Sequence, residues 1–78
     1  MRFVLRNKVL ELTKEAVETK LRNVPPELIR KHAVRVNGKN YPIKQVLSVA
    51  TGISRIEFTS MDAASILRRL GFTLKTLG

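Results

Sequence analysis

The spacing of apolar and polar residues divides the chain into short strands and short helices. Residues 3–5 and 9–12 are rich in Val, Leu and Phe and suit two short strands joined by a turn. Thr13 has a hydroxyl that can cap a helix, and a helix is expected from there to about Asn23. Its buried side is expected to carry Ala16, Val17 and Leu21.

Turn-forming residues mark the middle of the chain. Pro25-Pro26 ends the first helix, and a second, short helix is expected over residues 27–31, since proline suits the first helical turn. Residues 33–36 and 39–41 flank Asn37-Gly38, which is typical of a two-residue turn in a β-hairpin. The pattern therefore predicts a tight hairpin here.

Two further helices are predicted after the hairpin. The third covers residues 43–51 and ends at Gly52, which can adopt the left-handed conformation. Thr59 with Asp62 three residues later is the pattern of a capping box, so a fourth helix begins there and ends at Gly71. The apolar side chains of these helices that should face the core are Ile43, Val46, Leu47, Ala50, Ala63, Ile66, Leu67 and Leu70.

These elements predict a small single domain of the α+β class over residues 1–78. It would have about four short helices, a β-hairpin and a closing C-terminal strand at residues 72–75, winged-helix-like in general plan. Residues 1–12 form a β-like N-terminal arm that is expected to be mobile or used in dimerisation. A chain of 78 residues has room for one domain and little room for an enclosed pocket.

Composition argues against an enzyme and against a membrane protein. The chain has no Cys and a single histidine, His32, so it offers no disulfide, no thiolate zinc site and no imidazole cluster. We expect no cofactor, no metal, no catalytic residue and no small-molecule substrate. No apolar run approaches the length that spans a bilayer, so we expect no membrane partner and a cytoplasmic location.

Charge gives the main functional indication. The chain carries 15 Lys and Arg against six Asp and Glu, a net charge of +9. Residues 30–78 hold nine of the basic groups and only two of the acidic ones. A field of this size attracts polyanions, and nucleic acid is the commonest of them.

The candidate contact residues lie on the predicted hairpin and on the third and fourth helices. Short hydroxyls and guanidiniums on one exposed helix face suit contacts to phosphates and base edges. The alternatives stay open that Arg68 and Arg69 only complement the helix dipole and that the other side chains form an ordinary solvated face. The DNA-binding candidates are Arg35, Lys39, Lys44, Gln45, Ser48, Arg55, Ser60, Ser65, Arg68 and Arg69. Tyr41 is expected to be half-buried, and His32 is expected to be structural.

Two motifs suggest a relationship. They are the Tyr-Pro-x-Lys-Gln step at residues 41–45 and the Leu-Arg-Arg-Leu-Gly-Phe end at residues 67–72. The stretch that contains them resembles the N-terminal head domain of McrA-type HNH restriction endonucleases, which attack modified DNA, and small stand-alone relatives of that domain. The resemblance implies DNA binding and sensitivity to base modification, with contacts around Lys44, Gln45, Ser60, Arg68 and Arg69. It does not extend to the HNH nuclease half, so it implies no cleavage.

The sequence therefore favours a non-catalytic module that binds double-stranded DNA, free-standing or part of a larger nuclease, with a homodimer as one form. A small protein–protein adaptor, antitoxin- or phage-like with an acidic partner, is the first alternative. A basic protein associated with RNA or the ribosome is the second.

Overall fold

A computed structural model of the protein describes residues 1–76, which form an α+β fold. The strands in this part are β1 Arg2–Leu5, β2 Lys8–Glu11, β3 His32–Val36, β4 Lys39–Pro42 and β5 Leu74–Thr76. The helices are α1 Lys14–Leu21, α2 Ile43–Thr51 and α3 Ser60–Arg69, with one 3₁₀ turn, Arg55–Glu57, between α2 and α3. The predicted class, the β-hairpin and the closing strand are confirmed.

The predicted helix over residues 27–31 is wrong, because this segment is irregular. The amide N–H of Glu27 donates to the side-chain oxygen of Gln45 at 3.0 Å, which ties the segment to α2. The carbonyl of Pro25 is also bonded to that side chain. A helix of five residues gains too few internal bonds to compete with such tertiary contacts.

The N-terminal arm is a hairpin that packs against the rest of the protein. β1 and β2 pair in antiparallel fashion through a two-residue turn, in which Arg6 and Asn7 have φ values of 51° and 67°. Phe3, Leu5 and Leu12 are buried in the main core. The arm is therefore a docked part of the fold, and its role in dimerisation stays a prediction.

The second sheet has the strand order β4-β3-β5, with both pairs antiparallel. Asn37 and Gly38 both have positive φ, as the predicted two-residue turn requires. Val34 and Val36 face the core, whereas Arg35 lies between them on the exposed face. The pairing of β3 with β5 places His32 opposite Thr76.

The helix ends follow the local sequence signals. Thr13 caps α1 by accepting the amide N–H of Ala16, and Thr59 and Asp62 form the predicted capping box of α3. Gly52 ends α2 with a φ of 77°. After α3, the amide N–H of Phe72 donates to the carbonyl of Leu67. Local capping therefore fixes the starts of α1 and α3 and the ends of α2 and α3.

The buried sides of the three helices were predicted with small errors. α1 ends at Leu21, two residues earlier than expected, and Ala16 is exposed rather than buried. Leu70 is only partly buried, while the other seven side chains predicted for the core of α2 and α3 are buried.

None of the helices within residues 1–76 is long and apolar enough to cross a membrane.

Tyr41 is fully buried rather than half-buried. Its hydroxyl lies 2.7 Å from the carbonyl oxygen of Val24, to which it donates, and 3.2 Å from the carbonyl oxygen of Leu21. A buried phenol needs such a partner, and the segment that follows α1 supplies it at Val24. The contact joins β4 to the irregular segment that follows α1.

We predict that Tyr41→Phe lowers the free energy of unfolding by about 1 kcal/mol, because it removes the hydroxyl and leaves buried carbonyls without that donor. Urea unfolding measures the change, and the dependence on urea concentration should keep its slope. Ser65→Ala, on the exposed side of α3, is the control and should change stability little. A Tyr41→Phe protein as stable as wild type would contradict the assigned role of the hydroxyl.

Candidate nucleic-acid interface

Two adjoining depressions share His32 and Ser60 in their lining. One lies between the start of α2 and the irregular segment before β3; the other lies between α3 and β5. We call the two together the basic groove. The basic side chains that line it are Arg30, Lys31, Lys44, Arg55, Arg68 and Lys75. Among the described residues, Glu27 is the one acidic residue of its lining.

Gln45 does not face solvent, and its prediction as an exposed contact residue is wrong. Its side chain is 2% exposed, so it cannot reach a ligand in this conformation. The side-chain nitrogen donates to the carbonyl oxygen of Pro25 at 3.0 Å, and the side-chain oxygen accepts the amide N–H of Glu27. The sequence predicts an exposed amide at this position of α2 because it does not show which segment covers the side chain. Gln45 therefore anchors one wall of the groove.

The carboxylate of Glu27 forms a bidentate ion pair with the guanidinium of Arg55. The guanidinium Nη2 lies 2.6 Å from Oε2, and Nη1 contacts Oε1. The hydrogen bonds from Arg55 hold the pKa of the Glu27 carboxyl below its ordinary value, although partial burial opposes the shift. Because Glu27 is paired with Arg55, its carboxylate does not pair with the other basic side chains of the groove.

His32 lies where the two parts of the groove meet. Its Nδ1 is 3.4 Å from the hydroxyl oxygen of Thr76, the residue opposite it on β5. Ser60, the first residue of α3, lies on the other side of this junction. Hydroxyl and imidazole groups between guanidinium and ammonium groups are suited to bind an anion such as phosphate.

Arg68 and Arg69 are adjacent on α3 but have different surroundings. Met61, Ser65 and Arg68 are spaced at i, i+4 and i+7 and are all exposed, so they share one face of the helix. Arg68 lines the groove, whereas the guanidinium of Arg69 lies 5.1 Å from the ring centre of Phe3. Arg69 therefore has a structural contact with the N-terminal hairpin, within the range of a cation–π interaction.

The remaining predicted contact residues do not line the groove. Arg35 lies on the outer face of the sheet opposite Asn40. Lys39 follows the hairpin turn, whose Asn37 side chain donates to the carbonyl oxygen of Glu18 in α1. Ser48 is partly buried and donates to the carbonyl oxygen of Ile53, and Ser65 lies on the side of α3 that faces β1.

The structure thus brings together Lys44, Arg55, Ser60 and Arg68 from the predicted set. Sequence reasoning missed Arg30, Lys31, His32 and Lys75. The run Arg30-Lys31-His32 was a usable signal, since it is the longest unbroken basic stretch of the chain. Lys75 had no such signal, because only the long-range pairing of β5 with β3 brings it to the groove.

Most carboxylates of the protein have a structural partner. Glu57 lies 3.3 Å from the Lys8 ammonium, Asp62 completes the capping box, and Glu11 lies 3.4 Å from the N-terminal ammonium. No three His, Asp or Glu side chains converge on a metal-sized site within residues 1–76. The groove can therefore offer positive charge and hydrogen-bond donors to a ligand.

The fold and the groove define a small basic α+β domain with a concave, positively charged surface. A family model matches residues 1–77, and the chain belongs to the SCO5918-like family. No curated protein and no solved structure matches the chain.

We predict that Gln45→Met lowers the free energy of unfolding by about 1–3 kcal/mol, because it keeps the volume of the side chain but leaves two partly buried backbone groups unpaired. The amide proton of Glu27 should exchange with solvent faster than in wild type. Chemical unfolding and amide hydrogen exchange measure the two effects. Unchanged exchange at Glu27 would show that Gln45 does not anchor this segment.

Proposed function

We propose that the protein is a non-catalytic module that binds double-stranded DNA through the basic groove. The observation that carries the proposal is the convergence of basic side chains from four separate elements on one surface with a single acidic neighbour. Arg55 neutralises that neighbour, so the Lys and Arg groups around it keep their positive field. Phosphate contacts from such groups supply most of the affinity of DNA-binding proteins.

The state of the aromatic side chains favours a duplex over a single strand. Proteins that bind single-stranded nucleic acid stack bases on exposed aromatic rings. The chain has one Tyr and three Phe residues, and all four are buried. Charge without stacking suits a ligand whose bases are already paired and whose phosphates are outside.

Arg30, Lys31, Lys44, Arg68 and Lys75 are the proposed phosphate contacts, with Ser60 beside them. In this arrangement the two ends of α3, at Ser60 and Arg68, lie against the DNA backbone. The longest extent of the protein is 32 Å, about one helical turn of B-DNA. A single copy therefore covers at most about one turn, which fits a small number of phosphate contacts.

The resemblance to the head domain of McrA-type HNH endonucleases supports the same proposal. Of the positions that it implies as contacts, Lys44, Ser60 and Arg68 line the basic groove. Sensitivity to base modification, and the presence of a nuclease domain elsewhere in a longer protein, are parts of this proposal that rest on the resemblance.

A protein–protein adaptor remains the second candidate because of the N-terminal hairpin. Val4 and Val9 are cross-strand neighbours on its outer face and are 72% and 66% exposed. An exposed apolar pair on an edge hairpin suits a contact with another chain, including a second copy. This surface is separate from the basic groove, so the two candidates predict effects of different substitutions.

We predict that binding to duplex DNA weakens steeply with salt. Neutralisation of about five phosphates gives a slope of about −4.5 in a plot of log affinity against log salt concentration. Fluorescence anisotropy with duplex DNA, single-stranded DNA and RNA of equal length measures it. Equal affinity for all three would indicate general polyanion binding, and tighter binding to RNA would favour the RNA-associated alternative.

We predict that the double substitution Arg68→Gln with Lys75→Gln reduces the salt slope by about two units and weakens duplex binding at low salt. The matched control is Lys20→Gln with Arg22→Gln, which removes the same charges from the exposed end of α1. If the control weakens binding as much as the groove variant, the contact is diffuse electrostatics and the assignment to the groove is wrong.

A further inference from the structure

Leu28 is an exposed apolar side chain inside a charged surface. It is 83% exposed and lines the part of the basic groove that also holds Arg30, Lys31 and Lys44. A large aliphatic group in this position gains nothing from the core of its own domain. The side chains around it are cationic, so a polyanion suits this part of the groove better as a ligand than an apolar protein surface does.

The residues immediately before Leu28 are held in place by several contacts. Pro25 and Pro26 restrict φ at two successive residues. The Gln45 amide bonds the carbonyl of Pro25 and the N–H of Glu27, and Arg55 binds the carboxylate of Glu27. The residue immediately before Leu28 is thus fixed by one buried side chain and one ion pair. Such an anchored segment presents its next side chain in a defined direction.

We propose that Leu28 inserts partway between two base pairs of the bound duplex. The inference rests on the proposed function and adds a specific contact to it. Proteins that deform DNA insert Leu, Ile, Met, Phe or Pro into a base step while neighbouring Lys and Arg groups hold the phosphates. Leu28 has both properties, an unpartnered apolar side chain and adjacent cations. Base steps that unstack easily, such as TA and CA, would then be preferred.

Gln45 acts in this scheme as a positioning residue for Leu28. It does not touch the DNA, but its two hydrogen bonds fix the backbone one residue before the wedge. Loss of these two hydrogen bonds should leave the charges of the groove in place but allow the Leu28 side chain a wider range of orientations. Gln45→Met should therefore reduce base unstacking at saturation more than it reduces affinity.

The test uses a short duplex with 2-aminopurine at a central TA step, whose fluorescence rises when the base unstacks. Wild-type protein at saturation and low salt should raise the fluorescence. Leu28→Ala should bind with the same salt slope, since no charge is removed, but should lose the rise. Val9→Ala, an exposed aliphatic residue outside the groove lining, is the matched control and should keep it.

The outcomes separate this inference from the proposed function. Duplex binding by wild type without a rise in fluorescence, or an equal rise with Leu28→Ala, overturns the wedge and leaves the DNA-binding proposal standing. The absence of duplex binding overturns both. Sedimentation of the free proteins covers the remaining case: if wild type self-associates and Leu28→Ala is monomeric, Leu28 belongs to a protein interface and the inference is wrong.

Discussion

The side chains of Tyr41 and Gln45 hold the irregular segment between α1 and β3 in place. The Tyr41 hydroxyl contacts the carbonyl oxygens of Leu21 and Val24, and the Gln45 amide bonds the backbone at Pro25 and Glu27. Both are buried, and apart from the Tyr41 hydroxyl the Gln45 amide is the one polar side chain buried in the part of the chain that the structure describes. Because buried polar atoms are costly without partners, the segment has little freedom to lie elsewhere. The position of Arg30, Lys31 and Leu28 depends on this pair of contacts.

The distribution of charge follows from the same arrangement. Glu27 is placed by Gln45 where it meets Arg55, and Glu57, Asp62 and Glu11 are committed to contacts elsewhere in the fold. The acidic groups thus serve the structure, while the Lys and Arg groups of the groove keep their charge. The net charge of +9 is therefore not spread evenly, because the basic groove contains six Lys and Arg side chains and, among the described residues, one carboxylate. Such a surface concentrates the field on a polyanion.

Local signals predicted the parts of the fold that depend on neighbouring residues. The Asn37-Gly38 turn, the Thr59–Asp62 capping box and the end of α2 at Gly52 each rest on contacts within a few residues. The prediction of an exposed Gln45 was wrong because of a hydrogen bond between segments 18 residues apart. The expected helix at 27–31 was wrong because five residues gain too few internal hydrogen bonds. Lys75 joined the site through a strand pairing across more than forty residues, which no local pattern reveals.

The most direct test of the central claim is an NMR titration of the labelled protein with a short DNA duplex. If the basic groove is the interface, the largest amide shift changes will occur at residues 28–32, 60–68 and 74–76. The signals of Lys20 and Asn37, on the α1 side of the hairpin, should barely move. Largest changes at those two residues, or at Val4 and Val9 of the N-terminal hairpin, would contradict the account.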